Sequence, residues 1–523
     1  MTAAALIEDL EADHLLWRHT LYPGFLSDTQ GRMVPDGPHH RAFWEWVWAI
    51  RKGWRPTPPA FVGIWARGGA KSTNAELATV AVGARHTRRY AWYVSATQDS
   101  ADDHVLAVAA MLESPILAGF YPDLAARRLG KYGNSRGWRG NRLSTAAGFT
   151  VDAVGLDRAV RGRRYVEDRP DLIILDDVDD ALDSDTVTSH KVTAITHKIL
   201  PAGSEDSAVI AIQNLVHPDS IFSRLVDGRA DYLQDRVLSG PIPAVEGLEV
   251  RQAPDLTWRI VRGRPTWDGF DLDTAQAKMA EEGLTAFLSE RQHQVEAPPG
   301  GMFDHLDFAL YTVDPEQVPE LVRAVVWVDP AVTSTDRSDS HAIQADGLGV
   351  DGIIYRLFSW EGITTPEEAL EQAILTAAEV GADWVGIETD QGGDAWRSVY
   401  REAARHLVKE RLIRQDQVPP VRDAKAGAGA GPKTHRASMM LADYERGRFR
   451  HVAGRSAPLE RALRRFPRTK PFDLTDTAYW SWADLRTGGL AASAHDAEVP
   501  APKGSGSWED DPYAAPRASR WRG

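Results

Sequence analysis

The chain has 523 residues, 43% hydrophobic and 26% charged, enough for two or three globular domains. It has no cysteine, which excludes disulfides and thiolate metal sites and fits a reducing cytosol. The net charge of −14 argues against a general nucleic-acid coat, Glu8, Asp9, Glu11 and Asp13 are unlike a signal peptide, and no apolar run reaches the length of a membrane span.

Ala60 to Trp65 reads as a buried strand and Lys71 to Val82 as the helix that follows it. Arg89 to Ser95, Asp171 to Asp176 and Ser207 to Gln213 read as three more apolar strands, with helical stretches between them. That alternation predicts a parallel sheet. The turn Ala66-Arg67-Gly68-Gly69-Ala70-Lys71-Ser72 joins the first strand to its helix. A Gly-rich turn there aims backbone N–H groups at phosphate oxygens. Lys71 would neutralise the β- and γ-phosphates, and Ser72, followed by Thr73, would ligate Mg²⁺. The strict pattern G-x-x-x-x-G-K-[ST] is broken by Trp65 and Ala70.

The apolar run Leu172 to Leu175 ends in Asp176-Asp177. A buried strand ending in two acids is costly unless a cation or a solvent edge accepts them. Asp176 would hold Mg²⁺, and Asp177 would orient or deprotonate the attacking water. Gln213-Asn214, ending the next strand, would sense the γ-phosphate or simply cap a turn. Arg67 in the loop, or Arg161 in Val160-Arg161-Gly162-Arg163-Arg164 from a neighbouring subunit, would be an arginine finger. Arg161 serves equally as a DNA-phosphate contact or a surface charge. ATP with Mg²⁺ is therefore the expected ligand of this half.

Residues 240 to 320 are rich in Pro, Gly and Trp and read as the end of the first domain plus a connector. A second domain opens with the strand Val322 to Asp329, followed by strands near 341–348 and 352–359 around the hairpin signal Asp351-Gly352. A helix then starts at Thr365-Pro366 with Glu368 completing a capping box, lines one face with Leu370, Ile374, Ala377 and Val380, and stops at Gly381. Trp384 to Glu388 is the returning strand. Three meander strands, a helix and a returning strand make the core order of an RNase H-like fold. The expected boundaries are 1–250 for the first domain, 251–319 for the connector, 320–490 for the second domain and 491–523 for a flexible tail.

Asp329 and Glu388 each end an apolar strand, and a later helix offers Asp476, with Asp473 one turn before it. Two-metal phosphodiester cleavage needs carboxylates that hold two ions about 3.5–4 Å apart, Mg²⁺ or Mn²⁺ here. Asp339 and Asp390 are auxiliary candidates, and any one of these acids is otherwise a solvated loop residue. Lys433 and Arg436 are candidate contacts to a DNA backbone. Basic stretches lie at 127–164, with ten Lys/Arg, and at 448–470, with eight. They suit local phosphate contacts or a solvated surface.

These motifs together resemble the large terminase subunit of tailed bacteriophages. The matching stretches are Ala66 to Ser72, Tyr93-Val94-Ser95-Ala96-Thr97-Gln98, Arg169 to Asp177, Ile212-Gln213-Asn214, Val328-Asp329-Pro330, and Glu388 with Gln391-Gly392-Gly393. They span about residues 40 to 490. The resemblance implies an ASCE-type P-loop ATPase domain, α/β with a parallel sheet, followed by an RNase H-like nuclease domain. It implies a pentameric motor that pumps double-stranded DNA into a procapsid and cuts concatemers. The implied partners are the portal protein and the small terminase subunit, in the host cytoplasm and transiently at the portal vertex. It makes Arg67 the loop arginine, puts Asp177 where Glu is usual, and makes Gln213-Asn214 the coupling motif. Asp476-Thr477 stands where the family usually has Asp-Ala. Two other readings remain: a helicase-like translocase without nuclease activity, and a non-enzymatic scaffold with a decayed nucleotide site.

Overall fold

Apolar runs that are buried on both faces form the strands of two sheets. The computed structural model describes residues 3–27, 31–53, 58–132, 137–157, 169–295, 300–330, 340–388, 395–424 and 432–486. Arg161, Asp339, Asp390, Gln391 to Gly393 and the tail 491–523 lie outside the described residues. The chain clusters into two compact units. One holds Met1–Arg251, Ile260–Met279 and Thr285–Glu296, and the other holds Gln252–Arg259, Ala280–Leu284 and Ala297–Gly523. The stretch 251–319, expected as a connector, is thus divided between both units.

The strands of the first unit are β1 (Ala60–Trp65), β2 (Tyr90–Ser95), β3 (Arg142–Ser144), β4 (Thr150–Gly155), β5 (Leu172–Asp176), β6 (Ala208–Gln213) and β7 (Arg236–Ile242). They form one seven-stranded sheet in the order β3-β4-β2-β5-β6-β1-β7. Every neighbouring pair is parallel except β3 with β4. β6 lies between the loop-bearing β1 and the acid-bearing β5, which is the ASCE-type arrangement. Side chains alternate across the sheet: Phe61, Tyr93 and Ile174 join one apolar layer, Val62, Trp92 and Ile173 the other. The C-terminal ends of β1, β5 and β6 therefore meet at one edge, where open α/β sheets bind ligands. β8 (Val245–Gln252) and β9 (Trp258–Pro265) pair as a separate two-stranded sheet.

The second unit holds β10 (Thr312–Val313), β11 (Leu321–Asp329), β12 (His341–Gly349), β13 (Ile354–Gly362), β14 (Trp384–Glu388), β15 (Val421–Ala424) and β16 (Phe449–Val452), in the order β10-β16-β13-β12-β11-β14-β15. β11, β12 and β13 are an antiparallel meander, and β14 returns parallel to β11. This is an RNase H-like sheet. The helix Pro366–Val380 forms as its caps dictate: Thr365 Oγ1 accepts from Glu368 N at 3.2 Å, Glu368 Oε2 accepts from Thr365 N at 3.1 Å, and Gly381 stops it at φ +66°. Its apolar face packs on one side of the sheet, and the helix Asp473–Arg486 packs on the other. Val328 pairs with Ile387, so Asp329 and Glu388 end neighbouring strands at the same edge.

Candidate nucleotide and nuclease sites

β1 runs directly into the Gly-rich turn. Gly68 sits at φ +88°, where a Cβ would meet Arg291 Nη1 at 2.9 Å and the Phe270 ring at 3.0 Å, so only glycine fits. Trp65 replaces the usual first glycine because its ring is core. It packs against Phe43 and His39, and its Nε1 donates to Ser239 Oγ at 3.1 Å. Ala70 takes the left-handed conformation ahead of the helix Lys71–Ala84, and Asn74 Nδ2 holds its carbonyl at 2.8 Å. His40 Nδ1 accepts from Gly37 N at 3.2 Å, so His40 Nε2 donates to the Gly69 carbonyl at 3.1 Å. Ser72 and Thr73 are half-buried in the first turn.

Lys71 Nζ donates to Asn214 Oδ1 at 3.2 Å. Burial lowers the Lys71 ammonium, and Asp177, Asp176 and Glu290 work against that. Asn214 Nδ2 in turn donates to Glu290 Oε2 at 3.1 Å, and Arg67 Nη1 lies 3.4 Å from the same oxygen. Glu290 thus gathers the loop arginine and the lysine's partner. Gln213 faces elsewhere. Its Oε1 accepts from Asp179 N at 3.0 Å and its Nε2 donates to the Asp179 carbonyl at 2.9 Å.

Asp176 is fully buried and accepts from the Tyr93 hydroxyl at 2.7 Å. Burial, then Asp177, pushes its carboxyl up to about 6, while His104 and hydrogen bonds from Tyr93 and Ser72 oppose the rise. Such an acid is best stabilised by a cation, so the donor set fits Mg²⁺. Asp177 is exposed at φ +47°. Four neighbours of this site have no signal in the linear motifs: Glu290, His40, Glu76 and His104.

In the second unit, burial and then Glu388, Asp473 and Asp476 hold the Asp329 carboxyl well above the usual carboxylate range. Glu388 is half-buried at the end of β14. Asp473 and Asp476 both lie in the first turn of the helix Asp473–Arg486. Lys433 Nζ lies 3.6 Å from Asp473 Oδ1 and 3.2 Å from Asp476 Oδ2, and Arg436 Nη2 lies 3.0 Å from Asp476 Oδ2. The two cations read as DNA contacts are therefore engaged by the acids. Burial works to lower the Lys433 ammonium, but Asp476, Asp473 and Asp329 outweigh it and hold it high. Hard oxygen donors of this kind suit Mg²⁺ or Mn²⁺. Among the described residues, however, no three His, Asp or Glu side chains are grouped so as to hold a metal ion. The donors fit in kind but not in their present spacing. In the second basic stretch, Arg448, Arg455, Arg465 and Arg468 are ion-paired to Asp443, Glu379, Glu361 and Asp304. No helix among the described residues is long and apolar enough to cross a membrane.

Fold and site together define a chain with a P-loop ATPase-type unit and an RNase H-like unit. No protein-family model matches the sequence, and no curated protein is similar to it in sequence. Large terminase subunits of bacteriophages are among its structural neighbours. The large terminase of a thermophilic bacteriophage is 11% identical over 86% of this chain and 99% of that one, with a TM-score of 0.43. The large terminase of bacteriophage HK97 is 12% identical over 88% of this chain and 97% of that one, with a TM-score of 0.35. A variant nuclease domain of the large terminase subunit of bacterial virus Sf6, with manganese, is 14% identical over 32% of this chain and 89% of that one, with a TM-score of 0.23.

Proposed function

We propose that the chain is the large terminase subunit of a tailed bacteriophage. On this reading it hydrolyses ATP to drive double-stranded DNA into a procapsid and cuts the concatemer with a metal-dependent endonuclease. It works as a pentamer on the portal protein, fed by a small terminase subunit, in the host cytoplasm and at the portal vertex. One observation supports this above the others. The chain places a Gly-rich loop and an acid pair at the C-terminal edge of one parallel sheet, then Asp329 and Glu388 at adjacent strand ends of an RNase H-like sheet.

In the ATPase unit, Lys71 would hold the β- and γ-phosphates, with Arg67, Gly68, Gly69 and Ala70 lining them. Ser72 and Asp176 would hold Mg²⁺, which screens the phosphate charge when bound, and Thr73 would line the phosphates. Asp177 would act on the attacking water, and Arg67 or Arg161 would meet charge developing on the γ-phosphate. In the nuclease unit, Asp329, Glu388 and Asp476 would hold two divalent ions, which would activate the attacking water and screen the phosphate, with Lys433 beside Asp473 and Asp476. The pairing of Lys433 with Asp473 and Asp476 favours a second reading, in which this unit grips DNA without cutting it.

The test is to incubate the purified protein with linear plasmid and Mn²⁺ or Mg²⁺, with and without ATP, and to follow cleavage and phosphate release. Lys71→Ala should abolish hydrolysis and spare cleavage. Asp176→Asn should weaken Mg²⁺–ATP binding, whereas Asp177→Asn should keep binding and stop turnover. Normal turnover in Lys71→Ala overturns the ATPase assignment. Absence of cleavage with either metal leaves the translocase reading, and absence of both activities the scaffold.

A further inference from the structure

Outside every motif named above, one side chain reaches Asp176 and a second lies behind it. Glu76 lies in the second turn of the helix Lys71–Ala84, and His104 lies in the helix Gln98–Leu112. His104 Nδ1 is 2.7 Å from Glu76 Oε1, and its Nε2 is 3.7 Å from Asp176 Oδ2. The imidazole stacks on Tyr93, with ring centroids 4.7 Å apart, and the Tyr93 hydroxyl donates to that same Asp176 oxygen. Glu76 is 8% exposed, and Tyr93 and Asp176 are 0% exposed.

Packing does not account for this group. Neighbouring positions on the two helices, Ala75 and Ala78 on one and Ala101, Val105 and Val108 on the other, are apolar and buried. A carboxylate–imidazole pair in which the histidine is 18% exposed and the acid largely buried gains little over apolar residues of similar size. Its placement beside the one acid fit to hold the nucleotide's cation gives it a different use. A carboxylate on one ring nitrogen fixes the plane of an imidazole, as partners behind metal ligands do. The ring and the Tyr93 hydroxyl then meet Asp176 on one oxygen and restrict its rotation.

We propose that His104, oriented by Glu76, is a positioning residue for Asp176, presenting its carboxylate in one orientation to the cation bound with the nucleotide. This rests on the reading of the loop as an ATP site.

The experiment titrates Mg²⁺ against binding of a fluorescent ADP analogue to the full-length protein, alongside ATP turnover and thermal unfolding. The variants are Lys71→Ala, His104→Gln, Glu76→Gln and the His104→Gln/Glu76→Gln double. Each of the two single Gln variants should raise the half-saturating Mg²⁺ concentration about tenfold at an unfolding midpoint near wild type. The double should be little worse than either single, because the two act as one unit. Unchanged Mg²⁺ dependence in both singles, or losses that multiply in the double, overturns the inference. If His104→Gln does not fold, Glu76→Gln decides alone. If Lys71→Ala binds and turns over like wild type, the ATP reading fails and this inference with it. If Lys71→Ala is inactive while the Gln variants match wild type, only this inference fails.

Discussion

The Trp327 indole N–H donates to Asp484 Oδ2 at 3.0 Å, and Trp384 Nε1 donates to the same oxygen at 2.7 Å. Trp327 is on β11, two residues before Asp329, and Trp384 opens β14, which ends in Glu388. Asp484 is on the helix that carries Asp473 and Asp476. One buried oxygen thus ties together the three elements that bear the candidate nuclease acids. The fit is close, since a Cβ on Gly386 would meet the Trp327 ring at 2.3 Å.

Replacing Asp484 with Ala leaves two buried indole N–H groups without that acceptor, at about 1–3 kcal/mol each. The unfolding midpoint should fall. Below it, metal-dependent cleavage should drop about 10–100-fold, because small displacements of reacting groups are costly. ATP turnover should hold. Wild-type cleavage by folded Asp484→Ala would show that this junction does not position the acids.

Gln213 makes a second prediction. Its amide clasps the main chain of Asp179, whose carboxylate accepts from Ile221 N at 2.9 Å and Phe222 N at 3.0 Å. The end of β6 therefore fixes the segment after Asp176-Asp177 and, through Asn214, the Lys71 ammonium. Gln213→Ala should lower kcat for ATP with little change in KM, and cost about 1–3 kcal/mol of stability. A raised KM with unchanged kcat would mean that Gln213 serves ground-state binding instead.

A third concerns pH. His293 Nδ1 accepts from Leu215 N at 3.3 Å, and its Nε2 meets the Ile242 carbonyl at 2.9 Å, so the folded ring is neutral. Burial, with Lys71 nearby, lowers its pKa to about 4, and burial lowers that of His39 to about 3. The unfolded chain takes up these protons near the ordinary histidine value of about 6.5. Stability is therefore whole above about pH 6.5 and is lost as pH falls toward these folded values. At pH 5 the His293 share is about 2 kcal/mol. Denaturant unfolding at pH 7 and pH 5 should show a loss that shrinks by about that amount in His293→Gln. An equal loss in both proteins would remove His293 as a cause.

Much of this could be read along the chain. β1, β2, β5 and β6 are continuous apolar runs because both their faces are covered, and Thr365, Glu368 and Gly381 mark their helix through purely local bonds. β7 was hidden because its residues are mixed in exposure and include Gly240-Pro241, so no apolar run announces it. β16 is only four residues long. Trp65 looked like a defect in a phosphate loop but is a core ring. Glu290, His104 and Asp484 acquire their roles only when distant segments meet, which no spacing rule reports. Lys433 and Arg436 were read by charge alone, and their pairing with Asp473 and Asp476 was not visible in sequence.

The last prediction separates the nuclease acids. Asp329→Ala or Glu388→Ala should each eliminate cleavage and leave ATP turnover largely unchanged, since two ions share these ligands. Mn²⁺ should support the wild type at least as well as Mg²⁺, being more tolerant of imperfect geometry. Asp476 needs more care. It is 3% exposed and meets both Lys433 and Arg436, and Arg436 is itself 4% exposed. Asp476→Ala would strand a buried guanidinium, at about 3–5 kcal/mol, and so confound activity with folding. Asp476→Asn keeps the shape and an acceptor oxygen for Arg436, and should still lose cleavage. Asp473, met only by Lys433 at 3.6 Å among these cations, should give a milder loss as Asn. The opposite ranking would make Asp473 the third ligand. Full cleavage by Asp329→Ala would remove the nuclease claim and leave a unit that only grips DNA.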